Sequence, residues 1–289
     1  LKLTRKYYTE DMPDGRVKHI VQNITDPDIV PYIPDGIGNS TDRQRIPAVL
    51  IIPGGAFRRL VYNFEGEDVA KWLNSMGIAA FVLECRLPSD EHDNAEDVPL
   101  IDAMRAMRVI RGRAQEFGID EAKIGVMGFS AGGFMAALLS TAYESDVYAD
   151  YKYKDEYDKL SARPDFAVCS YPVISIDDCI EAGKRYMSEE QVLERISDSK
   201  AKILHKYNPD KLVRPDMPPV FICETDDDRT TLSENSVGFY MAARKAGVSA
   251  ELHIFRTGGH GYGCGDDFAQ TGEWKVLFTK WIKSIGIIS

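Results

Sequence analysis

The 289-residue sequence has no surplus of basic charge, no paired cysteine motif and no long apolar run. Its 35 Lys and Arg are outnumbered by 45 Asp and Glu, giving a formal net charge of −10. Proteins that grip nucleic acid neutralise phosphates with a basic face, so this balance argues against a nucleic-acid or other polyanionic partner. Cys85, Cys169, Cys179, Cys223 and Cys264 are odd in number and scattered without a C-x-x-C pair, which fits neither a disulfide framework nor a zinc site. Cys169 and Cys223 sit in apolar runs and read as buried small hydrophobes. The longest apolar runs, 48–53 and 78–83, fall far short of the roughly 20 residues that span a bilayer, which excludes a transmembrane helix and gives no membrane partner. The chain begins Leu1-Lys2-Leu3, which fits a mature or trimmed form and leaves cytoplasmic and secreted locations both open. Oligomeric state is not legible.

What is present is an ordinary globular composition, 44% hydrophobic and 28% charged, long enough for one large α/β domain. The first forty residues alternate apolar and polar positions and break at Pro27 and Pro31, which predicts edge strands and turns forming the antiparallel start of a sheet. Residues 48–52 are continuously apolar and end in Pro53-Gly54-Gly55, as expected of a strand covered on both faces. Val69, Trp72, Leu73 and Met76 make one helical stripe closed by Gly77. Residues 79–83 predict the next strand, and Leu100 to Phe117 one long crossover helix. A strand at 123–127 and an Ala-rich buried helix at 131–141 follow. Further strands are expected at 166–170, 220–223 and 251–255, with helices at 235–246 and 274–285. Repeated βα units imply a mostly parallel twisted sheet flanked by helices, an α/β fold. Residues 1–289 are read as one domain, with 143–164 and 177–217 as insertion or partial-cap segments.

The sharpest chemical signal is Gly128-Phe129-Ser130-Ala131-Gly132, a G-x-S-x-G string between an apolar strand and an Ala-rich helix. A bare string of this kind occurs by chance, but this context predicts a turn so tight that its flanks must lack large side chains, lifting the serine oxygen above the sheet. A serine hydroxyl needs a base within hydrogen-bond reach. Of five histidines only His260 lies in a glycine-rich loop straight after a strand. His19 and His253 alternate within strand-like pieces, His205 falls on a helix-like piece and His92 in a polar loop, all structural settings. The third member is expected after strand 220–223, where Asp226, Asp227 and Asp228 are adjacent; alone, such a run is as readily a solvated or helix-capping turn. Charge developing on a carbonyl oxygen needs fixed N–H donors. One is expected at Ala131 and the other in the Pro53-Gly54-Gly55-Ala56-Phe57 turn after the first parallel strand, which by itself would be a plain strand end.

Together, Pro53-Gly54-Gly55-Ala56-Phe57, Glu65-Gly66, Asp102, residues 124–133, Tyr171-Pro172-Val173, Glu234-Asn235-Ser236 and Gly258-Gly259-His260-Gly261 resemble the acetyl-esterase and acetylxylan-esterase-like branch of the α/β hydrolases, related to hormone-sensitive-lipase-type and feruloyl-esterase-like enzymes. The resemblance runs over residues 46–285. It implies Asp228 as the triad acid, with Asp227 as runner-up, beside Ser130 and His260, and the N–H of Gly55 or Ala56 beside that of Ala131 as the oxyanion donors. Departures occur where the usual third glycine is Ala56, where Val-Pro is Thr231-Leu232 and where Tyr-Arg-Leu is Cys85-Arg86-Leu87; the first two bear on the shape of the acyl pocket.

The implied activity is hydrolysis of short acyl esters, acetyl foremost, of sugars or xylo-oligosaccharides through an acyl-enzyme, a mechanism that needs no metal and no organic cofactor. Two alternatives stand beside it. The same triad serves a feruloyl esterase, peptidase or lactonase, since fold and triad do not set the substrate. A silent ligand-binding protein on the hydrolase fold would ordinarily lack a triad member, and all three are available here. The tyrosines of 143–157 are either a stacking wall for substrate or an exposed amphipathic surface.

Overall fold

A strand turns alternate side chains to opposite faces, and the run from Ile46 to Ile52 divides itself between two apolar layers. Ala48, Leu50 and Ile52 enter one buried cluster, Val49 and Ile51 the other. The computed structural model describes residues 4–36, 45–90, 92–149, 154–185, 187–188, 190–192, 201–265 and 270–289. In chain order its strands are β1 (Lys6–Asp11), β2 (Val17–Gln22), β3 (Asp28–Tyr32), β4 (Ile46–Ile52), β5 (Leu60–Val61), β6 (Ala79–Glu84), β7 (Ile119–Phe129), β8 (Ala167–Ser170), β9 (Val220–Thr225) and β10 (Ala250–Phe255). A seven-stranded sheet runs β10-β9-β8-β7-β4-β6-β3, parallel throughout except at β3, which pairs antiparallel with β6. Pro31 is tolerated in β3 because that strand is an edge.

The helices are α1 (Asp68–Ser75), α2 (Val98–Gly112), α3 (Ala114–Phe117), α4 (Ala131–Ala142), α5 (Ile176–Lys184), α6 (Ala201–Lys206), α7 (Ser233–Lys245) and α8 (Trp274–Ser284). Val69 and Leu73 of α1 and Trp274, Phe278 and Trp281 of α8 cover the face carrying Val49. Leu100, Met104 and Met107 of α2, Phe134 and Leu138 of α4 and Phe239 of α7 cover the face carrying Leu50. This three-layer arrangement is what continuous apolar strand sequences demand. Helix α4 is buried along nearly its whole length, so its Ala-Leu-Met composition reflects surroundings that are apolar on every side. Among the described residues no helix is long and apolar enough to cross a membrane.

Several expectations shift. The N-terminal strands do not all start the main sheet: β1, β2 and β5 form a separate antiparallel sheet, and only β3 joins the large one. Alternation fixes the faces of a strand but not its neighbour, which depends on contacts far along the chain. The long helix to Phe117 breaks at Arg113, after Gly112. There the helix passes so close to Tyr157 that an added Cβ would lie 2.3 Å from its ring. Strand β7 begins earlier than expected, at Ile119, because its register against β4 jumps between Ile46 and Ala48 and leaves polar residues of the irregular part outside the apolar pattern.

The tyrosine-rich segment packs on α2. The Arg108 guanidinium lies 4.0 Å from the Tyr148 ring centre, and Arg105 pairs with Asp155 and Asp158. Tyr151 and Tyr153 lie outside the described residues; Cys85, Cys169, Cys223 and Cys264 are buried and form no disulfide.

Gly125 in β7 shows how tightly this core is filled: an added Cβ would sit 2.3 Å from the ring of Phe166, itself buried against Trp281. Gly125→Ala is therefore expected to cost about 1–3 kcal/mol through overpacking, read as a lower urea midpoint at unchanged m-value; a midpoint equal to that of the parent protein would contradict this packing.

Candidate active site

The site is built on the turn from β7 to α4. Ser130 has φ +54° and ψ −117°, a backbone conformation costly for a residue with a side chain. It is held there because the chain on either side cannot spread. A Cβ on Gly128 would lie 1.9 Å from the Gly132 carbonyl oxygen, and one on Gly132 would lie 1.9 Å from that of Ile52. The Ser130 N–H donates to the Ser170 carbonyl of the neighbouring strand (3.0 Å), which ties the turn to the sheet edge.

His260 stands on the loop after β10, where Gly258, Gly259 and Gly261 all take positive φ. Its Nε2 lies 2.8 Å from Ser130 Oγ, and its Nδ1 lies 2.6 Å from Asp228 Oδ2. Asp228 is 2% exposed. Its other oxygen accepts the N–H groups of Thr230 (2.7 Å) and Thr231 (3.0 Å), and the Thr231 hydroxyl donates to Oδ2 (3.0 Å). Burial works against this carboxylate, but the hydrogen bond and charge of His260 and the two N–H donors outweigh it and hold its pKa below the usual range. An ionised acceptor at Nδ1 puts the ring proton there and leaves the Nε2 lone pair facing the serine hydroxyl.

The adjacent aspartates have other partners. Asp227 Oδ1 accepts the Gly259 N–H (2.8 Å), and the Thr225 hydroxyl donates to the Gly259 carbonyl (2.9 Å), so the loop is pinned one residue before the histidine. Asp226 is exposed, and its N–H donates to the Phe255 carbonyl. The structure thus brings Asp228, and neither neighbour, to the ring.

The turn after β4 closes the site. Gly55, Ala56 and Phe57 have φ of +140°, +56° and +58°. Gly55 and Ala56 line one cavity with Ser130 and His260, and Ala131 opens α4 beside the serine. Among the described residues no acceptor takes the N–H of Gly55, Ala56 or Ala131, which leaves all three as donors. The cavity holds about 610 Å³. Its far wall is the small N-terminal sheet, with Tyr8, Arg16, Lys18 and Gln22, together with Phe64 and Arg59. Of the tyrosines of 143–157, the described ones, Tyr143, Tyr148 and Tyr157, do not line it.

Two buried acids near the triad escaped the sequence reading of roles. Glu65 accepts from the Gly54 N–H and the Tyr171 hydroxyl. Glu224 accepts from the Thr225 N–H (2.9 Å) and the Ser236 hydroxyl (3.3 Å). Among 45 acidic residues neither is marked by spacing or by neighbours; only the resemblance singles out Glu65. Among the described residues no three His, Cys, Asp or Glu side chains gather as metal ligands.

A mostly parallel sheet with helices on both faces, carrying a serine on the turn between its central strand and a buried helix and a histidine on the loop after its last strand, defines an α/β hydrolase. The chain belongs to the BD-FAE family, whose model matches residues 37–242. It is 31% identical over 240 residues to an acetylxylan esterase of Xylanibacter ruminicola, across 82% of this chain and 45% of that protein. It is 29% identical over 269 residues to endo-1,4-beta-xylanase B of Butyrivibrio fibrisolvens, across 90% of this chain and 40% of that one. The chain thus spans less than half the length of these relatives. Among solved structures, the acetyl ester-xyloside bifunctional hydrolase of Caldicellulosiruptor lactoaceticus has a TM-score of 0.74 and 38% identity, covering 91% of this chain and 89% of that one.

Burial, and then the adjacent Asp228 charge, push the Glu224 pKa well above the carboxylate range. The folded state therefore keeps this proton at pH values where an unfolded glutamate, with a pKa of about 4.3, has lost it, and stability falls as pH rises above that value. Glu224→Gln removes this titration. Its urea midpoint relative to the parent is expected to improve as pH is raised above that value; a difference that stays constant with pH would contradict a raised Glu224 pKa.

Proposed function

We propose that this chain is a serine carboxylesterase that removes short acyl groups, acetyl foremost, from sugars or xylo-oligosaccharides. The observation that carries the reading is the unbroken line from Asp228 through His260 to Ser130, at 2.6 and 2.8 Å, opening onto a cavity beside three unengaged N–H groups. His260 takes the proton of Ser130 as its Oγ attacks the ester carbonyl. Negative charge grows on the carbonyl oxygen, faced by the N–H groups of Gly55, Ala56 and Ala131, while the new imidazolium is stabilised by ionised Asp228. His260 then passes the proton to the leaving alcohol. Water, activated by the same histidine, attacks the acyl-enzyme and frees the acid.

Geometry on the two sides of the oxyanion turn supports the substrate class. Behind it, the cavity walled by Phe57, Leu87 and Met135 measures about 10 Å³, which favours a small acyl group on that side. On the open side, Arg16, Lys18, Gln22 and Arg59 offer donors to a polyhydroxylated alcohol, and Tyr8 and Phe64 offer rings against which a sugar can stack. The acetylxylan esterase and the acetyl ester-xyloside hydrolase among its relatives support the same class. Residues 1–289 work in this reading as one hydrolase domain, with 143–164 and 177–217 as insertion or partial-cap segments.

Hydrolysis of p-nitrophenyl acetate, butyrate and octanoate, with acetate release from acetylated xylan and ferulate release from a feruloyl sugar ester in parallel, tests this reading. Activity should fall steeply from acetate to octanoate and vanish in Ser130→Ala. Asp228→Asn should lose roughly 10³–10⁴-fold in kcat by leaving the histidine with the wrong tautomer. Asp227→Ala, which only loosens the loop, should lose no more than about 10-fold, far less than a displaced triad acid. Ferulate release as the dominant activity would move the acyl specificity, and full activity in Ser130→Ala would overturn the mechanism.

A further inference from the structure

Acyl transfer through the triad makes no use of Glu65, yet among the described residues this acid is the only side chain in hydrogen-bond contact with both the oxyanion turn and the support of the histidine loop. It leaves the five-residue π-helical turn Asn63–Glu67 and is 4% exposed. Its Oε2 accepts the Gly54 N–H at 2.8 Å, and a Cβ on Gly54 would lie 2.7 Å from that oxygen, 2.5 Å from the Phe129 carbonyl and 2.9 Å from Ser130 Cβ. The carboxylate thus holds Gly54 at the point where the oxyanion turn meets the nucleophile turn. Its Oε1 accepts the Tyr171 hydroxyl at 2.9 Å. That hydroxyl in turn accepts the Gly263 N–H at 3.0 Å, and the fully buried Tyr171 ring packs edge-on against the His260 ring, with centres 5.1 Å apart.

We propose that Glu65 is a positioning residue of the reaction, a buried acceptor that holds the Gly54–Ala56 donors and, through Tyr171, the His260 loop in register with Ser130. The role rests on the esterase reading. It follows from hydrogen-bond valence. Both groups that meet the carboxylate are donors, and only a carboxylate accepts at both ends. A glutamine of the same shape satisfies one end and turns an N–H toward a donor at the other. If its oxygen faces Gly54, its amide meets Tyr171, whose own proton then has no acceptor and whose hold on Gly263 loosens. If it faces Tyr171, the amide pushes against the Gly54 N–H and the oxyanion turn shifts. A displacement of a few tenths of an ångström matters here because the donors must match the tetrahedral oxyanion and not the planar ester.

The same position gives Glu65 an electrostatic influence on the base. The titratable groups facing it are Tyr171 after β8, His260 after β10 and Lys18 on β2. Burial pushes its pKa up, against the charge of His260, the Tyr171 hydroxyl and the Gly54 N–H. Protonation of Glu65 at falling pH would likewise turn one of its two oxygens from acceptor to donor and disturb the contact at that end, and should contribute to the acid limb of kcat/KM.

The test uses Glu65→Gln and Tyr171→Phe, singly and together, with p-nitrophenyl acetate as substrate and an alkyl boronic acid as a mimic of the tetrahedral oxyanion. Glu65→Gln is expected to lose roughly 10–100-fold in kcat, less than outright deletion of an oxyanion donor, with KM within about 2-fold, as for an interaction made in the transition state. Boronate inhibition should weaken by a similar factor, active sites titrated with a phosphonate should stay near one per chain, and the acid limb of the pH profile should simplify. Tyr171→Phe should show the same split, and the double variant should lose much less than the product of the two. Unchanged kcat and boronate affinity in Glu65→Gln would overturn the role. So would losses that only track the titrated fraction of folded protein. If the parent protein itself turns over no ester, the esterase reading falls and this role with it, whereas an active parent with an indifferent Glu65→Gln removes this role alone.

Discussion

The close approach of three backbones beneath Ser130 is the constraint on which the rest depends. β7 must end, reverse and enter α4 within the few residues around the serine, and the chain does so only because Gly128 and Gly132 let backbone meet backbone where any side chain would collide. The strained φ of Ser130, a cost of order 1–3 kcal/mol, is sustained by the packing on both sides of the turn. α4 is buried on every side, and the Ser130 and Tyr171 N–H groups are fastened to carbonyls at the ends of β8 and β9. Because the close contact to Gly132 comes from Ile52, the end of β4 is fixed relative to the serine, and so is the oxyanion turn next to it.

Four carboxylates surround this turn, and their partners separate their work. Asp228 meets a ring nitrogen and two backbone N–H groups, which favour its charge. Asp227 meets a backbone N–H of the histidine loop and acts on that loop's path. Glu224, shut away from water beside Asp228, has its pKa pushed up. Glu65 faces two donors from two different loops and binds them to each other. The pKa of Asp228 and those of the two buried glutamates thus move in opposite directions, because burial penalises charge while donors and opposite charge restore it.

The small N-terminal sheet adds a second kind of constraint. Its strands β1 and β2 lie outside the stretch that matches the family model, yet they supply one wall of the cavity. The triad stands on loops at the ends of the parallel strands, while part of the cavity lining comes from a separately paired sheet. Placing chemistry and selection on different elements lets one vary without disturbing the other.

Much of the parallel sheet is legible in the sequence, because burial on both faces writes a continuous apolar run such as 48–52, and because a covering helix such as α1 repeats its apolar residues at a fixed spacing. Ser130 and His260 stand out for the same local reason: a serine between glycines at a strand-to-helix join, and a histidine among glycines after a strand. What reads poorly depends on approach over long sequence distance. The residues of Asp226-Asp227-Asp228 look alike until the chain comes back and presents Gly259 to one and His260 to another. Glu65 is one acid among many until Tyr171, over a hundred residues on, and Gly54 close around it. The alternation expected of the N-terminal strands does not show in their burial, β1 burying neither face and β2 burying the adjacent Ile20 and Val21, and their place in a small sheet with β5 is decided by packing. The sequence alone determined conformations set within a few residues, by what a backbone turn or a buried face requires; the tertiary structure decided which polar groups meet, since that depends on where distant segments bring their donors and acceptors.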